Sequence, residues 1–216
     1  MVSGRVTWIL AAVAAAAYAA LWLGHVSGWG WLVAGDDDAL RTAYAFGVHR
    51  PAWVEFWNAV SVLLGPTALR ILAIVVIIVA LLNRRPWIAA FLTVTVLAMG
   101  LVTVVAKAAA DRPRPSTALV AAGSSSFPSG HALGIMVGVL AFLAVLAPRI
   151  PRPARVWAVA AGAGAVLLVG FARVALNVHH PSDVLAGWAL GYLWFLVCLT
   201  VVPPRRQPAD RGPAAP

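Results

Sequence analysis

Three polar clusters interrupt an otherwise apolar chain, at residues 107–115, 124–131 and 173–183. They contain arginines, the single lysine, several serines and three of the five histidines. In so apolar a chain, charged and titratable side chains are candidates for function, because an unpaired charge is costly away from water. The types of residue in these clusters indicate which chemistry they could perform.

The cations of these clusters suit a phosphate group. Lys107 is the only lysine among 16 basic residues, so the chain uses arginine everywhere else and an ammonium group here. Arg114 and Arg173 each offer a planar guanidinium that can bind two phosphate oxygens at once. Residues 128–131, Pro-Ser-Gly-His, open a predicted helix whose free backbone N–H groups favour an oxyanion. The clusters therefore predict a phosphate-binding site.

Two histidines could supply the reactive groups that the cations lack. An imidazole can act as a nucleophile or as a proton donor near neutral pH. Asp183 follows His179 by four residues, which puts the two side chains on one face of a helical turn. There the carboxylate could hold the imidazole tautomer and stabilise a charged ring. His131 is the second candidate.

The composition of the chain indicates which kind of secondary structure must position these residues. The chain has 216 residues, of which 62% are hydrophobic and 11% charged, whereas a soluble domain is about half apolar and about a quarter charged. We therefore predict an all-α, polytopic membrane protein. The net charge of +9 does not indicate nucleic acid binding, because no basic stripe alternates with aromatic residues. Cys198 alone can form no intramolecular disulfide and no cysteine-based zinc site.

Apolar runs predict six transmembrane helices, with residues 129–131 extending the fourth. Between the first two, two shorter amphipathic stretches rich in tryptophan predict interfacial helices. Within that segment, residues 36–38 form an Asp-Asp-Asp run that we interpret as a solvated helix N-terminus. The six predicted spans are residues 6–23, 62–82, 87–106, 132–146, 156–172 and 184–202.

The basic residues predict the orientation of these spans. If six helices alternate in direction, nine arginines fall on one side, which the positive-inside rule makes the cytoplasm. Both termini are then cytoplasmic, and all three polar clusters lie at the opposite, extracytoplasmic face. Arg112 is expected to be a loop or headgroup contact. The nine arginines are Arg5, Arg84, Arg85, Arg149, Arg152, Arg155, Arg205, Arg206 and Arg211.

The same reading divides the chain into three segments. Residues 1–60 hold the first transmembrane helix and the interfacial helices, and residues 61–203 form the catalytic helical core. Residues 204–216, rich in proline and arginine, are expected to be a disordered cytoplasmic tail.

The motifs resemble those of the type 2 phosphatidic acid phosphatase family, the lipid phosphate phosphatases. The resemblance rests on Lys107 with six residues before Arg114, on residues 128–131, and on Arg173 with five residues before His179 and three more before Asp183. It covers about residues 60–200. One departure is Ala172, where the family usually has a serine that donates a hydrogen bond.

The resemblance implies a role for each matching residue. His179 would be the nucleophile that forms a phosphohistidine, Asp183 its orienting partner, and His131 the acid and then the base. No metal and no cofactor are implied. The implied phosphate-binding residues are Lys107, Arg114, Ser129, Gly130 and Arg173.

The implied function is hydrolysis of a lipid phosphate in a bacterial-type plasma membrane. A polyprenyl diphosphate, such as undecaprenyl diphosphate, is favoured, and phosphatidate, diacylglycerol diphosphate and phosphatidylglycerol phosphate are alternatives. Two other functions remain open. A vanadate-dependent haloperoxidase would use a similar cradle, and a transporter or scaffold would explain the helices but not the clustered histidines. The sequence leaves the oligomeric state open.

Overall fold

The computed structural model describes residues 4–204, which contain helices and connecting loops and no β-strand. The predicted disordered tail lies outside the described residues, apart from its first position. Residues Thr93–Leu97 form a π-helical turn between α5 and α6. The α-helices are α1 Gly4–Val26, α2 Gly30–Gly47, α3 Pro51–Leu63, α4 Pro66–Leu82, α5 Pro86–Leu92, α6 Met99–Ala110, α7 Gly130–Leu146, α8 Arg152–Ala175 and α9 Pro181–Val201.

Five helical segments of the described chain are long and apolar enough to cross a membrane. They are Arg5–Val26, Pro51–Leu82, Pro86–Ala110, Arg152–Ala175 and Pro181–Val201. The predicted fourth span corresponds to α7, which is apolar but has only 17 residues. At about 1.5 Å per residue it would be roughly 26 Å long, close to the lower limit for a transmembrane helix.

Helices α7 and α9 form the centre of the fold and pack closely because α9 carries two glycines on one face. A Cβ on Gly187 would lie 2.6 Å from the carbonyl oxygen of Ser129, and one on Gly191 would lie 2.8 Å from that of Leu133. Small residues four positions apart let two helix backbones approach in this way. The close approach brings the first turn of α9 next to the first turn of α7.

Helices α1, α2 and α3 pack onto α8 and α9. α1 lies against α9, whereas α2 and α3 lie mainly against α8. Many large apolar side chains of α1 and α4 are exposed, among them Trp8, Ile9, Ile71 and Leu82. Exposed apolar surface of this extent fits contact with lipid.

Two residues with left-handed backbone conformations end the helices that lead into the polar clusters. Asp111 has φ of 41° and terminates α6, and Asn177 has φ of 58° just after α8. A short polar side chain tolerates this conformation better than most. The Asn177 side chain also donates to the carbonyl oxygen of Leu40, 2.9 Å away, and so ties the loop after α8 to α2.

Candidate active site

A cavity of about 490 Å³ opens where α3, α4, α6, α7 and α8 meet the loops between them. Its lining includes six of the predicted site residues, together with several neutral groups. None of its described lining residues is an aspartate or a glutamate. The cavity therefore has an excess of positive charge. The predicted site residues in the wall are Lys107, Arg114, Gly130, His131, Arg173 and His179.

His179 lies in the loop between α8 and α9 and is almost fully buried, with 1% of its surface exposed. Its Nε2 atom is 3.2 Å from an Nη atom of Arg114. A guanidinium can only donate, so Nε2 must accept, and the proton of a neutral ring is then assigned to Nδ1. Burial lowers the pKa of His179 to about 4, against the opposing effect of Asp183. The ring is therefore neutral near pH 7, with the lone pair of Nε2 on the Arg114 side.

Arg114 is oriented by backbone carbonyl groups. Its Nη1 atom donates to the carbonyl oxygen of Val178 at 2.7 Å, and its Nε and Nη2 atoms donate to Gly123 and Ser124. Burial lowers the pKa of this guanidinium, which nevertheless stays charged at neutral pH because arginine titrates far above it. These bonds attach the loop that begins at Gly123 to Arg114.

Lys107 and Arg173 approach the cavity from two different helices. The Lys107 ammonium, near the end of α6, donates to the carbonyl oxygen of Ser125. Arg173, near the end of α8, is 5% exposed and donates to the Ser61 hydroxyl at 2.7 Å. Its Nε atom has no hydrogen-bond partner in the described chain. Neither cation is neutralised by a carboxylate contact, so both are available to an anion.

The start of α7 supplies His131 and Gly130 to the cavity but not Ser129. Ser129 is fully buried, and its hydroxyl accepts from the Ala132 N–H at 3.4 Å as the helix N-cap. Its own N–H donates to the carbonyl oxygen of Asp183 at 2.9 Å. In this structure Ser129 therefore orients the first turn of α7 rather than lining the cavity.

Asp183 lies behind His179, away from the cavity. Its Oδ2 atom is 3.5 Å from His179 Nδ1, which is at the long limit for a hydrogen bond, and this Nδ1 has no hydrogen-bond partner within the described residues. The same carboxylate accepts from the Ser126 hydroxyl and from the His180 N–H, and it lies 3.1 Å from His180 Nδ1. Its other oxygen, Oδ1, pairs with Arg112 at 2.8 Å. Asp183 is fully buried and completely surrounded by partners.

Two expectations about charged residues were wrong. Arg112 is not a loop or headgroup contact, because it is 8% exposed and bridges Asp183 to Asp36. Asp36 is not at a solvated helix N-terminus. It lies in the second turn of α2, is 3% exposed, and accepts hydrogen bonds from Arg112 and Ser182.

A signal for Asp36 was present in the sequence. Leu32, Asp36 and Leu40 are spaced by four residues, and all three are buried on one face of α2. A single acid in an apolar helical stripe indicates a buried partner, because a lone buried carboxylate is too costly. The Asp-Asp-Asp run hid this pattern, since Asp37 and Asp38 are exposed.

Ala172, the departure from the family pattern, does not line the cavity. It is fully buried and packs in an apolar cluster with Trp57 and Val178. Within residues 4–204, no group of three or more histidine, cysteine, aspartate or glutamate side chains could hold a metal ion.

Comparison with known proteins gives a family match that covers more than half of the chain. The model of the PAP2 superfamily matches residues 87–207. The match begins within α5 and includes all three polar clusters.

Several curated proteins are similar in sequence. A lipid A 1-phosphatase of Rhizobium johnstonii is 39% identical over 127 residues, 54% of this chain and 48% of that protein. Phosphatidylglycerophosphatase B of Bacillus subtilis is 40% identical over 91 residues, 40% and 44% of the two chains. An undecaprenyl-diphosphatase of Sulfolobus acidocaldarius is 39% identical over 66 residues, 31% and 28%. The chain therefore spans less than half the length of each of these relatives.

The fold also matches a solved structure. A crystal structure of a transmembrane PAP2-type phosphatidylglycerolphosphate phosphatase from Bacillus subtilis superposes with a TM-score of 0.73. The match covers 87% of this chain and 94% of that one at 24% identity. At this identity the likeness establishes the all-helical membrane fold.

Proposed function

Because the chain belongs to the PAP2 superfamily, we propose that it is an integral membrane lipid phosphatase that works through a phosphohistidine. The observation that carries the proposal is the environment of His179. Its unprotonated Nε2 atom lies beside Arg114, at a cavity lined by further cations and by no carboxylate of the described chain. A phosphate group is the ligand that such a cavity would attract, and an imidazole nitrogen is the group that could attack it.

In the first step, His179 Nε2 attacks the phosphorus atom, and the bond to the leaving oxygen breaks. His131, also in the cavity wall, gives its proton to that oxygen. The imidazole becomes positively charged as the N–P bond forms, and the Asp183 carboxylate behind Nδ1 stabilises that charge. Lys107, Arg114, Arg173 and the N–H of Gly130 bind the phosphoryl oxygens.

In the second step, water attacks the phosphohistidine. His131, now unprotonated, accepts a proton from the water, whose oxygen bonds to phosphorus as the N–P bond breaks. Inorganic phosphate leaves and His179 returns to its neutral form. No metal ion takes part, and Ser129 contributes by capping α7 rather than by touching substrate.

The substrate class is a lipid whose headgroup ends in a phosphate monoester or a diphosphate. A polyprenyl diphosphate is our first candidate, because an extracytoplasmic site suits the recycling of such carriers. Relatives named as undecaprenyl-diphosphatase, phosphatidylglycerophosphatase B and lipid A 1-phosphatase support testing all three lipid types. This choice rests on analogy within the family.

The same proposal includes six spans, with α7 as the fourth along the chain, and α2 and α3 lying at the interface. It retains the division at residues 60 and 203, both termini in the cytoplasm and the cavity outside, in a bacterial-type plasma membrane. A cysteine introduced at Ser124, which lines the cavity, should react with a membrane-impermeant reagent in intact cells. Labelling only after lysis would overturn this orientation.

A phosphate-release panel tests the function. The purified protein would be assayed in detergent with undecaprenyl diphosphate, phosphatidylglycerol phosphate, phosphatidate and lipid A. We expect release from at least one lipid, competitive inhibition by vanadate, and unchanged rates in EDTA. His179→Ala is the inactive control. No release from any of the lipids would reject the proposal, and loss of activity in EDTA would reject its metal-free form.

A further inference from the structure

Asp36 is a buried acid that the proposed reaction does not use. It belongs to α2, far in sequence from the three polar clusters, yet it contacts two of them. Its Oδ2 atom accepts from Arg112 at 2.8 Å and from the Ser182 hydroxyl at 2.5 Å. Its Oδ1 atom accepts from the Ser182 N–H at 3.0 Å. Asp36 therefore binds both the loop after α6 and the first turn of α9.

Arg112 joins Asp36 to Asp183. One Nη atom of its guanidinium contacts Asp36, and the other contacts Asp183 Oδ1 at 2.8 Å and the Ser182 hydroxyl at 2.7 Å. All four of these residues are buried. Two carboxylates thus share one guanidinium, so the group carries one more negative than positive charge when both acids are ionised.

We propose that Asp36 is a positioning residue for catalysis, which acts on His179 through Arg112 and Asp183. The inference rests on the phosphatase function proposed above. It assigns a catalytic contribution to α2, which lies outside the segment that matches the family.

The physical reason is a balance of charge and geometry. Asp183 must keep its Oδ2 atom near His179 Nδ1 while its other oxygen, Oδ1, binds Arg112. With Asp36 present, Arg112 divides its charge between two carboxylates, so Asp183 keeps much of its negative charge for the imidazolium that forms on attack. With Asp36 neutral, Arg112 would neutralise Asp183 alone, and the charged transition state would lose stabilisation.

The test compares Asp36→Asn with Asp37→Asn, the same substitution at the exposed neighbour. Asp36 does not line the cavity, so substrate binding should change little. We expect kcat to fall about tenfold or more for Asp36→Asn, with KM within about twofold of the wild type. Asp37→Asn should match the wild type in both parameters. The KM-against-kcat split separates positioning from a role in substrate binding, and a thermal unfolding profile of each variant checks for a loss of folded protein.

Two further variants keep the test decisive if Asp36→Asn folds poorly. Ser182→Ala removes one partner of Asp36 and retains every charge, so kcat should fall less. Asp36→Glu retains the charge and should recover part of the lost kcat. An active wild type with an unchanged kcat in Asp36→Asn, or with only KM altered, would overturn the inference. A wild type inactive on every lipid would overturn the proposed function itself.

A different observation concerns Arg70 of α4, which lines the same cavity one turn after Thr67. It is half-buried, and its guanidinium makes no hydrogen bond or ion pair within residues 4–204. A Cβ built on Gly100 would lie 3.2 Å from its Nη2 atom, so the guanidinium rests against α6 at that level. Gly100 and Lys107 are about 10 Å apart along α6. Arg70 is therefore a cation separate from those around His179.

We infer that Arg70 binds a second phosphate of the lipid headgroup while the scissile phosphate lies against His179. Thr67 and Asn58, which also line the cavity, add neutral hydrogen-bonding groups. An unpaired arginine in a predicted membrane span is costly unless it meets an anion. Two phosphates of one headgroup, joined directly or through a spacer such as glycerol, could therefore meet Arg70 and the cations around His179 at the same time. This inference also rests on the proposed phosphatase function.

Arg70→Gln tests this subsite, with the exposed Arg152→Gln as the charge-matched control. The substrates would be phosphatidate, with one phosphate, polyprenyl diphosphate, with two joined directly, and phosphatidylglycerol phosphate, with two joined through glycerol. We expect KM for at least one of the two-phosphate lipids to rise about tenfold and that for phosphatidate to change less than about threefold. A selective rise for either two-phosphate lipid supports the subsite. An equal rise for all three lipids, or none, would overturn it while leaving the phosphatase function intact.

Discussion

The two sides of His179 differ in how their charges are satisfied. On the cavity side, Lys107 and Arg173 are bonded only to neutral oxygens, and none of the described lining residues is acidic. On the opposite side, Asp183 and Asp36 are buried and enclosed by a guanidinium, hydroxyl groups and backbone N–H groups. The cavity side therefore has an excess of positive charge, whereas the carboxylates on the opposite side are bound by hydrogen-bond donors.

This difference assigns the two sides different tasks. A complete hydrogen-bonded network holds its members in one arrangement, which suits the orientation of a ring. A cationic cavity without carboxylates in its wall attracts an anionic ligand, which suits the binding of a phosphate. Substitutions on the cavity side should therefore affect both binding and rate, whereas those behind His179 should affect mainly the rate.

The largest expected effect is the loss of the reactive groups themselves. His179→Ala and His131→Ala should each lower the rate of phosphate release by a thousandfold or more, on the order of other nucleophile and acid substitutions. The protein should still insert and fold, which size-exclusion chromatography and a thermal unfolding profile would check. Retained turnover in His179→Ala would mean that another residue is the nucleophile.

Removing a cation from the cavity side should have the next largest effect. Arg173→Gln deletes one charge that has only the Ser61 hydroxyl as a side-chain partner. A charge-assisted hydrogen bond contributes about 1.5–3 kcal/mol, so kcat/KM should fall roughly ten- to a hundredfold and vanadate should bind more weakly. Arg152→Gln, at an exposed position, is the control. Normal vanadate inhibition in Arg173→Gln would remove this residue from the phosphate site.

A neutral member of the network behind His179 should matter less. Ser126→Ala removes one hydrogen bond to Asp183 and changes no charge. The net worth of such a bond is about 0.5–1.5 kcal/mol, so kcat should fall about two- to tenfold with KM unchanged. Ser27→Ala, at an exposed position after α1, provides the comparison. A change in KM without a change in kcat would break the distinction between the two sides.

The smallest expected effect is a displacement of the acid limb of the pH profile. Burial lowers the pKa of His179 to about 4 from its usual 6.5, and only the unprotonated ring can attack phosphorus. Activity should therefore persist below pH 6.5 and decline as the pH falls through about 4. The measurement is kcat/KM against pH, corrected for titration of the substrate phosphate itself. An acid limb at 6.5 would contradict a desolvated nucleophile.

The residues that line the cavity were selected from the sequence, as was Asp183, whereas the partners of Asp183 behind His179 were not. Lys107, Arg114, His131 and Arg173 stand in motifs with local spacing, so their types and order were sufficient to select them. Ser129 was also selected, but the sequence could not distinguish a phosphate contact from the N-cap that the structure has, because both use the same hydroxyl group.

The partners of Asp183 come from distant parts of the chain, which explains why they were missed. Arg112 was one of several cations in its cluster, and Asp36 was one of three adjacent aspartates with the same local surroundings. Only their burial separates them from their neighbours, and burial depends on which helices pack together. The fold itself was easier to predict from the sequence, since apolar runs long enough to cross a bilayer indicate transmembrane helices directly.

The sequence by itself determined the membrane-helical class, the family and the residues that could react with a phosphate. Those properties follow from composition and from spacing within a few helical turns, which are local. The tertiary structure alone decided which charges are paired. It placed Asp36 of α2 against Arg112, which in turn contacts Asp183, and left the cations of the cavity without a carboxylate partner among residues 4–204. Pairing needs contact in space, and contact between residues this far apart exists only once the helices have packed.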